Sequence, residues 1–108
     1  MPTTTSLEPT IEPGVHDILR RHNAEAAFQT ACDIARSSFP TMQSFHVELL
    51  DDPDEEDKVW VLLRIVLPHA YAWETQHQQE LRFHEGMVAQ VSLELNPLFG
   101  LSIDHLPE

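Results

Sequence analysis

A chain of 108 residues with 42% hydrophobic and 22% charged side chains has the composition of one soluble globular domain. The single cysteine, Cys32, excludes an intramolecular disulfide and argues against a cysteine-based zinc site. Acidic residues outnumber basic residues by 18 to 6, and the resulting net charge of -12 argues against direct nucleic-acid binding. The sequence shows no signal-peptide pattern and no apolar run of the ~20 residues that a membrane helix needs, so we expect a cytoplasmic protein with no membrane contact.

The amino-terminal residues 1–14 are predicted to form a flexible arm, because they contain three prolines, a glycine and few apolar side chains. One folded domain is then expected over residues 15–108. Its first helix is predicted over residues 15–38, where apolar residues recur at helical spacing. Asn23 is a good helix cap, so two shorter helices in this region remain an alternative.

Two strands are predicted next, joined by an acidic turn. Apolar and polar residues alternate over residues 41–50, whereas residues 59–67 are apolar on both faces and are interrupted only by Arg64. A strand that is apolar on both faces is usually covered on both. We expect the helices to cover one face of the sheet and a second subunit to cover the other, which predicts a homodimer.

A second helix is predicted over residues 70–93, with Gly86 as its weakest point, and a short last strand follows at residues 99–103. The predicted fold class is therefore α+β, in the order helix, strand, strand, helix, strand. The sheet is expected to be small, mixed and three-stranded, with both helices on one face.

The second predicted helix carries a candidate metal site. His77, Glu80 and His84 fall within a sector of about 60° on a helix, a pattern that can bind a divalent transition metal. The same sector holds Trp73 and other apolar residues, so it also suits a hydrogen-bonded cluster facing the core or an interface. His69, at the end of the central strand, is a further candidate ligand.

The turn between the strands carries six carboxylates in seven residues. Its spacing does not fit an EF-hand, because the sixth position is not glycine and the twelfth is not glutamate. The turn is interpreted either as a solvated hairpin tip or as an electrostatic contact for a basic protein partner. Trp60 and Trp73, if exposed, are expected to anchor that partner. The predicted partner-binding acids are Asp51, Asp52, Asp54, Glu55, Glu56 and Asp57.

Other chemistry has little support in the sequence. There is no GxSxG nucleophile motif and no glycine-rich phosphate loop. Cys32 is expected to pack as a small hydrophobic residue. One basic spot, with Arg20 and Arg21 between His16 and His22, is a candidate for an anion site, and its alternative is a solvated surface cluster.

Residues 15–106 resemble small acidic bacterial proteins encoded beside toxin genes, which act as antitoxins or immunity partners. The resemblance rests on the hairpin DDPDEEDKVWVLLRIVLP and the polar helix WETQHQQELRFHEG. It implies a binding role and no catalytic residues.

The main hypothesis from the sequence is a non-enzymatic acidic protein-interaction module that needs no cofactor. The alternative is a metal-binding protein or metal-dependent enzyme that uses the histidine and glutamate cluster. A third hypothesis is a pH sensor, because the chain contains seven histidines.

Overall fold

The structure, a computed structural model, describes residues 7–51, 54, 58–69 and 72–107. Four strands form one sheet in the order β1-β2-β3-β4, and both outer pairs of strands are parallel while the central pair is antiparallel. The elements in chain order are β1 (Thr10–Ile11), α1 (Val15–Arg21), α2 (Glu25–Ser38), β2 (Ser44–Asp51), β3 (Val59–Leu67), α3 (Trp73–Gln90), a 3-10 turn (Asn96–Leu98) and β4 (Phe99–His105).

The α+β class and the mixed sheet are confirmed, but two details of the sequence prediction are wrong. The described residues form three helices and four strands, where two helices and three strands were expected. The first helix ends at Arg21 and a new one begins at Glu25, because Asn23 takes a left-handed conformation with φ of 55°. Asparagine tolerates that conformation better than most residues, so the alternative of two helices is the correct one.

The fourth strand, β1, lies inside the segment that was predicted to be an arm. It adds parallel to β2, and the next residue prolongs the ladder because the Glu12 amide donates to the Val47 carbonyl at 2.9 Å. The Glu12 carboxylate then accepts the Leu49 amide at 2.5 Å. Nearby, Glu8 lies 3.8 Å from Arg36 of α2. The arm prediction for residues 1–6 lies outside the described residues.

The core lies between the helices and one face of the sheet. Val61, Leu63, Ile65 and Leu67, alternate residues of β3, are fully buried there, and they belong to one apolar cluster with buried residues of all three helices. The helices are arranged in chain order over the sheet: α1 packs on β2, and α2 packs against both α1 and α3. Helix α3 contacts β4. That last contact is a hydrogen bond of 2.7 Å between Gln76 and His105.

Helices α2 and α3 approach each other closely at Gly86. A Cβ atom at this position would lie 2.9 Å from Cγ2 of the buried Ile34. Gly86, which was predicted to be the weakest point of the helix, therefore permits the close packing of α2 against α3.

Candidate functional site

Helix α3 has two apolar stripes, and only one of them faces the core. Phe83 and Met87 are buried against the core, whereas Trp73, Leu81 and Val88 are 71%, 47% and 68% exposed. The exposed residues and two histidines fall within a sector of about 80° at 100° per residue. We call this set the α3 stripe, and it consists of Trp73, His77, Leu81, His84 and Val88.

The candidate metal ligands lie on and beside the α3 stripe, and each makes a different contact. His77 stacks on Trp73, with 5.3 Å between ring centroids and 3° between ring planes. The rings of His84 and Phe83 are nearly perpendicular, with 5.6 Å between their centroids. Glu80 accepts a hydrogen bond of 3.4 Å from the Gln76 amide. Within the described residues, no three side chains of His, Cys, Asp or Glu are grouped so that they could hold a metal ion.

The other sequence candidates are distributed over the surface or buried singly. The exposed His69 ring contacts the Leu106 carbonyl at 3.3 Å. In the basic spot, Arg20 pairs with Asp17 at 2.9 Å, which neutralises part of its charge. Cys32 is buried, which confirms that it packs as a small hydrophobic residue, and this burial raises the pKa of its thiol to about 12.

The second surface of interest is the face of the sheet that points away from the helices, which we call the open face. Alternate residues of the three long strands form it, in register across the sheet. Its half-buried or exposed members are Ser44, His46, Glu48 and Leu50 on β2, Trp60, Leu62, Arg64 and Val66 on β3, and Gly100, Ser102 and Asp104 on β4.

The hairpin end of the open face is apolar. Leu50 lies directly opposite Trp60, and Leu62 follows on the same face of β3. Leu62 also reaches over the neighbouring strand, since a Cβ at Gly100 would lie only 3.2 Å from its Cδ1. The ammonium of Lys58 lies 5.4 Å from the centre of the Trp60 ring, in the range of a cation–π contact.

The middle of the open face carries a row of charges across three strands. Arg64 lies 3.5 Å from Glu48 on one side and 3.8 Å from Asp104 on the other. The Nε atom of Arg64 is buried and has no hydrogen-bond partner among the described residues. The sequence had marked this arginine only as an interruption in an apolar strand, and the ion-pair row depends on a strand register that the sequence did not predict.

The acidic turn borders the apolar end of the open face. Asp51 ends β2 opposite Val59, on the side of the sheet that faces the helices, and both Asp51 and Asp54 are exposed. Trp60 is half-buried there, whereas Trp73 lies on the separate α3 stripe. The structure therefore assigns the two expected tryptophan anchors to different surfaces. The remaining acids of the prediction, Asp52, Glu55, Glu56 and Asp57, lie outside the described residues.

Comparisons with protein-family models, curated proteins and solved structures found no match for this chain. A search of the described helices found none that combines the length and apolar character of a membrane span.

Proposed function

We propose that this chain is a non-enzymatic interaction module that binds a basic protein through the hairpin end of the open face. One observation carries the proposal. The apolar cluster of Leu50, Trp60 and Leu62 is only partly covered, Glu48 lies opposite Leu62 on the same face, and the acidic turn follows Leu50 in the chain. A large aromatic residue among aliphatic neighbours, with charges at the rim, is the usual anatomy of a protein-binding surface.

The charge distribution supports a basic partner. Asp51 and Asp54 are exposed in the segment that joins the two strands of the cluster, and the whole chain has a net charge of -12. Such a charge raises the rate at which a basic protein finds the surface, by about tenfold or more at low salt. A finer proposal, supported by the resemblance described above, is that the partner is a bacterial toxin whose activity the chain blocks.

The experiment compares two matched tryptophan variants of the full chain. Wild type, Trp60→Ala and Trp73→Ala are immobilised and exposed to proteins from the source cells, and the retained proteins are identified by mass spectrometry. We expect wild type and Trp73→Ala to retain the same basic protein and Trp60→Ala to lose it, because truncating an aromatic anchor weakens binding by about 30-fold. Far-ultraviolet circular dichroism checks that all three variants fold.

Kinetics with the purified partner then test the charge argument. Raising NaCl from 50 to 500 mM is expected to slow association by about tenfold, because it screens exposed charges. The double variant Asp51→Lys with Asp54→Lys should reduce this salt dependence. Equal retention by Trp60→Ala and wild type, or an association rate that does not respond to salt, would contradict the proposal.

The metal alternative has no supporting observation among the described residues, since His77, Glu80 and His84 each contact a different neighbour. Elemental analysis of the purified full chain tests it directly. A stoichiometric transition metal that is lost in His84→Ala would replace the interaction proposal with the metal hypothesis.

A further inference from the structure

We infer that two copies of this chain associate through the free edge of β4 and the adjoining α3 stripe. The inference concerns a different surface from the proposed partner site, and it stands or falls independently of that proposal. The inference rests on two features on the same side of the molecule: the unpaired backbone edge of β4 and the exposed apolar side chains of the α3 stripe.

The backbone feature is the outer edge of β4. This strand is paired with β3 on one side, and it is the last strand of the sheet in the described residues. The Leu106 amide donates to the Leu67 carbonyl at 2.9 Å, which fixes the direction of its neighbours. Amides alternate along a strand, so those of Leu101 and Ile103 point away from β3, whereas the Phe99 amide donates to the Asn96 carbonyl of the preceding turn. An open edge of this kind pairs readily with another strand.

The side-chain feature is the α3 stripe, and the helix contacts fix its direction. Gly86 faces α2 through its contact with Ile34, and the middle of the α3 stripe lies about 180° away around the helix. Gln76, on the intermediate side of the helix, touches His105 of β4. The α3 stripe therefore faces outward beyond the β4 edge, and not into the core or over the open face.

Between these two features the apolar layer is incomplete. Phe99, Leu101 and Ile103 of β4 pack against the core but are only partly buried, whereas their β3 partners are fully buried. The free edge, these half-covered side chains and the α3 stripe form one continuous border of the molecule.

A second copy fits this border because a two-fold axis would satisfy both features at once. Antiparallel pairing of two β4 edges makes one eight-stranded sheet and places the two α3 stripes against each other. The charge distribution favours this location. The chain has a net charge of -12 with histidine neutral, but the α3 stripe contains no acidic residue, no lysine and no arginine. Its acidic neighbours Glu74 and Glu85 lie at one rim and are exposed, and the half-buried Glu80 lies at the other rim, where it accepts a hydrogen bond from Gln76.

The first test measures the mass of the full chain by sedimentation velocity from 5 to 500 µM. We expect a concentration-dependent dimer of twice 12.4 kDa. Leu81→Glu and Val88→Glu should each shift the dissociation constant by at least about tenfold, because they place a charge in the apolar contact. The control is Leu50→Glu, the same substitution at an exposed leucine of the open face, and it should leave the dimer unchanged.

The salt dependence of the dimer is a second test, because salt is expected to strengthen the dimer and to slow the association with a basic partner. Higher NaCl should tighten the dimer, because it screens the repulsion between two acidic copies across an apolar contact. A dimer that loosens with salt would contradict the inference.

Amide hydrogen exchange tests the β4 contact separately. In the wild-type dimer the outward amides of Leu101 and Ile103 should exchange slowly, and in Leu81→Glu at the same concentration they should exchange quickly. A monomer at 500 µM would overturn the inference, as would a dimer that survives both stripe variants. A dimer with fast exchange at these amides would also overturn it.

Discussion

The contact between α2 and α3 at Gly86 gives the sharpest prediction about stability. Glycine in the middle of a helix normally costs about 1 kcal/mol relative to alanine, so Gly86→Ala should stabilise a helix that has free space there. In this structure the new Cβ would lie 2.9 Å from Cγ2 of Ile34, well inside ordinary contact distance. Ile34 is buried, and its Cγ2 is attached directly to Cβ, so it cannot move away by a change at the end of a flexible chain.

The expected magnitude follows from these two opposing effects. Overpacking of a filled contact costs about 1–3 kcal/mol, which outweighs the gain of about 1 kcal/mol in helix propensity. Gly86→Ala should therefore lower the free energy of unfolding by up to about 2 kcal/mol, or leave it unchanged where the helices separate slightly. Ile34→Leu removes the offending Cγ2 at similar volume, so Gly86→Ala in that background should be less costly or stabilising.

Urea unfolding of the four proteins of this double-mutant cycle measures the coupling, at one fixed protein concentration because association shifts apparent stability. We expect a coupling of about 1 kcal/mol or more. The pair Gln78→Gly and Gln78→Ala, at an exposed position of α3, supplies the helix-propensity difference without the packing effect. If Gly86→Ala stabilises the chain by the full difference found at position 78, the close contact is not present.

Three further predictions concern single side chains that are buried or hydrogen-bonded. The pKa of the Cys32 thiol is raised in the folded chain, so the unfolded chain loses the thiol proton at a lower pH than the folded chain does. The free energy of unfolding should therefore fall as the pH rises from about 9 towards 12. At pH 10 the wild type should have lost about 1.4 kcal/mol of its free energy of unfolding that Cys32→Ala keeps, as measured by urea unfolding. If the two proteins lose stability in parallel as the pH rises, the prediction is wrong. The buried Ser38 hydroxyl has no hydrogen-bond partner among the described residues, so Ser38→Ala should leave stability unchanged or raise it by about 1 kcal/mol. Ser37→Ala, which removes a bond of 3.1 Å to the Ile34 carbonyl, should instead be neutral or destabilising, and thermal melts of the two variants compare them. Glu12→Gln weakens a charge-assisted bond to the Leu49 amide and should cost about 1 kcal/mol at neutral pH, with faster exchange of that amide; unchanged exchange would refute the bond.

The sequence predicted best the elements whose residues carry a strong local pattern. Strand β3 has the bounds that were expected, because eight apolar residues, interrupted only by Arg64, lie between Lys58 and Pro68. The split at Asn23 could only be left open, since it depends on one residue taking a left-handed conformation. Strand β1 was missed because its two residues have no periodicity of their own and are held by distant contacts with β2.

The candidate site was harder to predict because α3 carries two apolar stripes about a third of a turn apart. Periodicity identified the sector of His77 and His84 as apolar, but it could not show which stripe faces the core. The choice depends on packing against α2, where Gly86 meets Ile34 and turns Phe83 inward. This contact between residues 52 positions apart has no local signal in the sequence.

The position of the proposed dimer contact also differs from what the apolar strand first suggested. A second subunit laid over the whole open face would bury the row of Glu48, Arg64 and Asp104. Removing these half-exposed ions from water costs several kcal/mol each, and the Nε atom of Arg64 already lacks a partner among the described residues. Pairing at the β4 edge extends the sheet sideways and leaves this row, Asp104 included, open to water. The charged row therefore favours a protein partner that covers only the apolar hairpin end of the open face, and it favours self-association at the opposite side of α3 from α2.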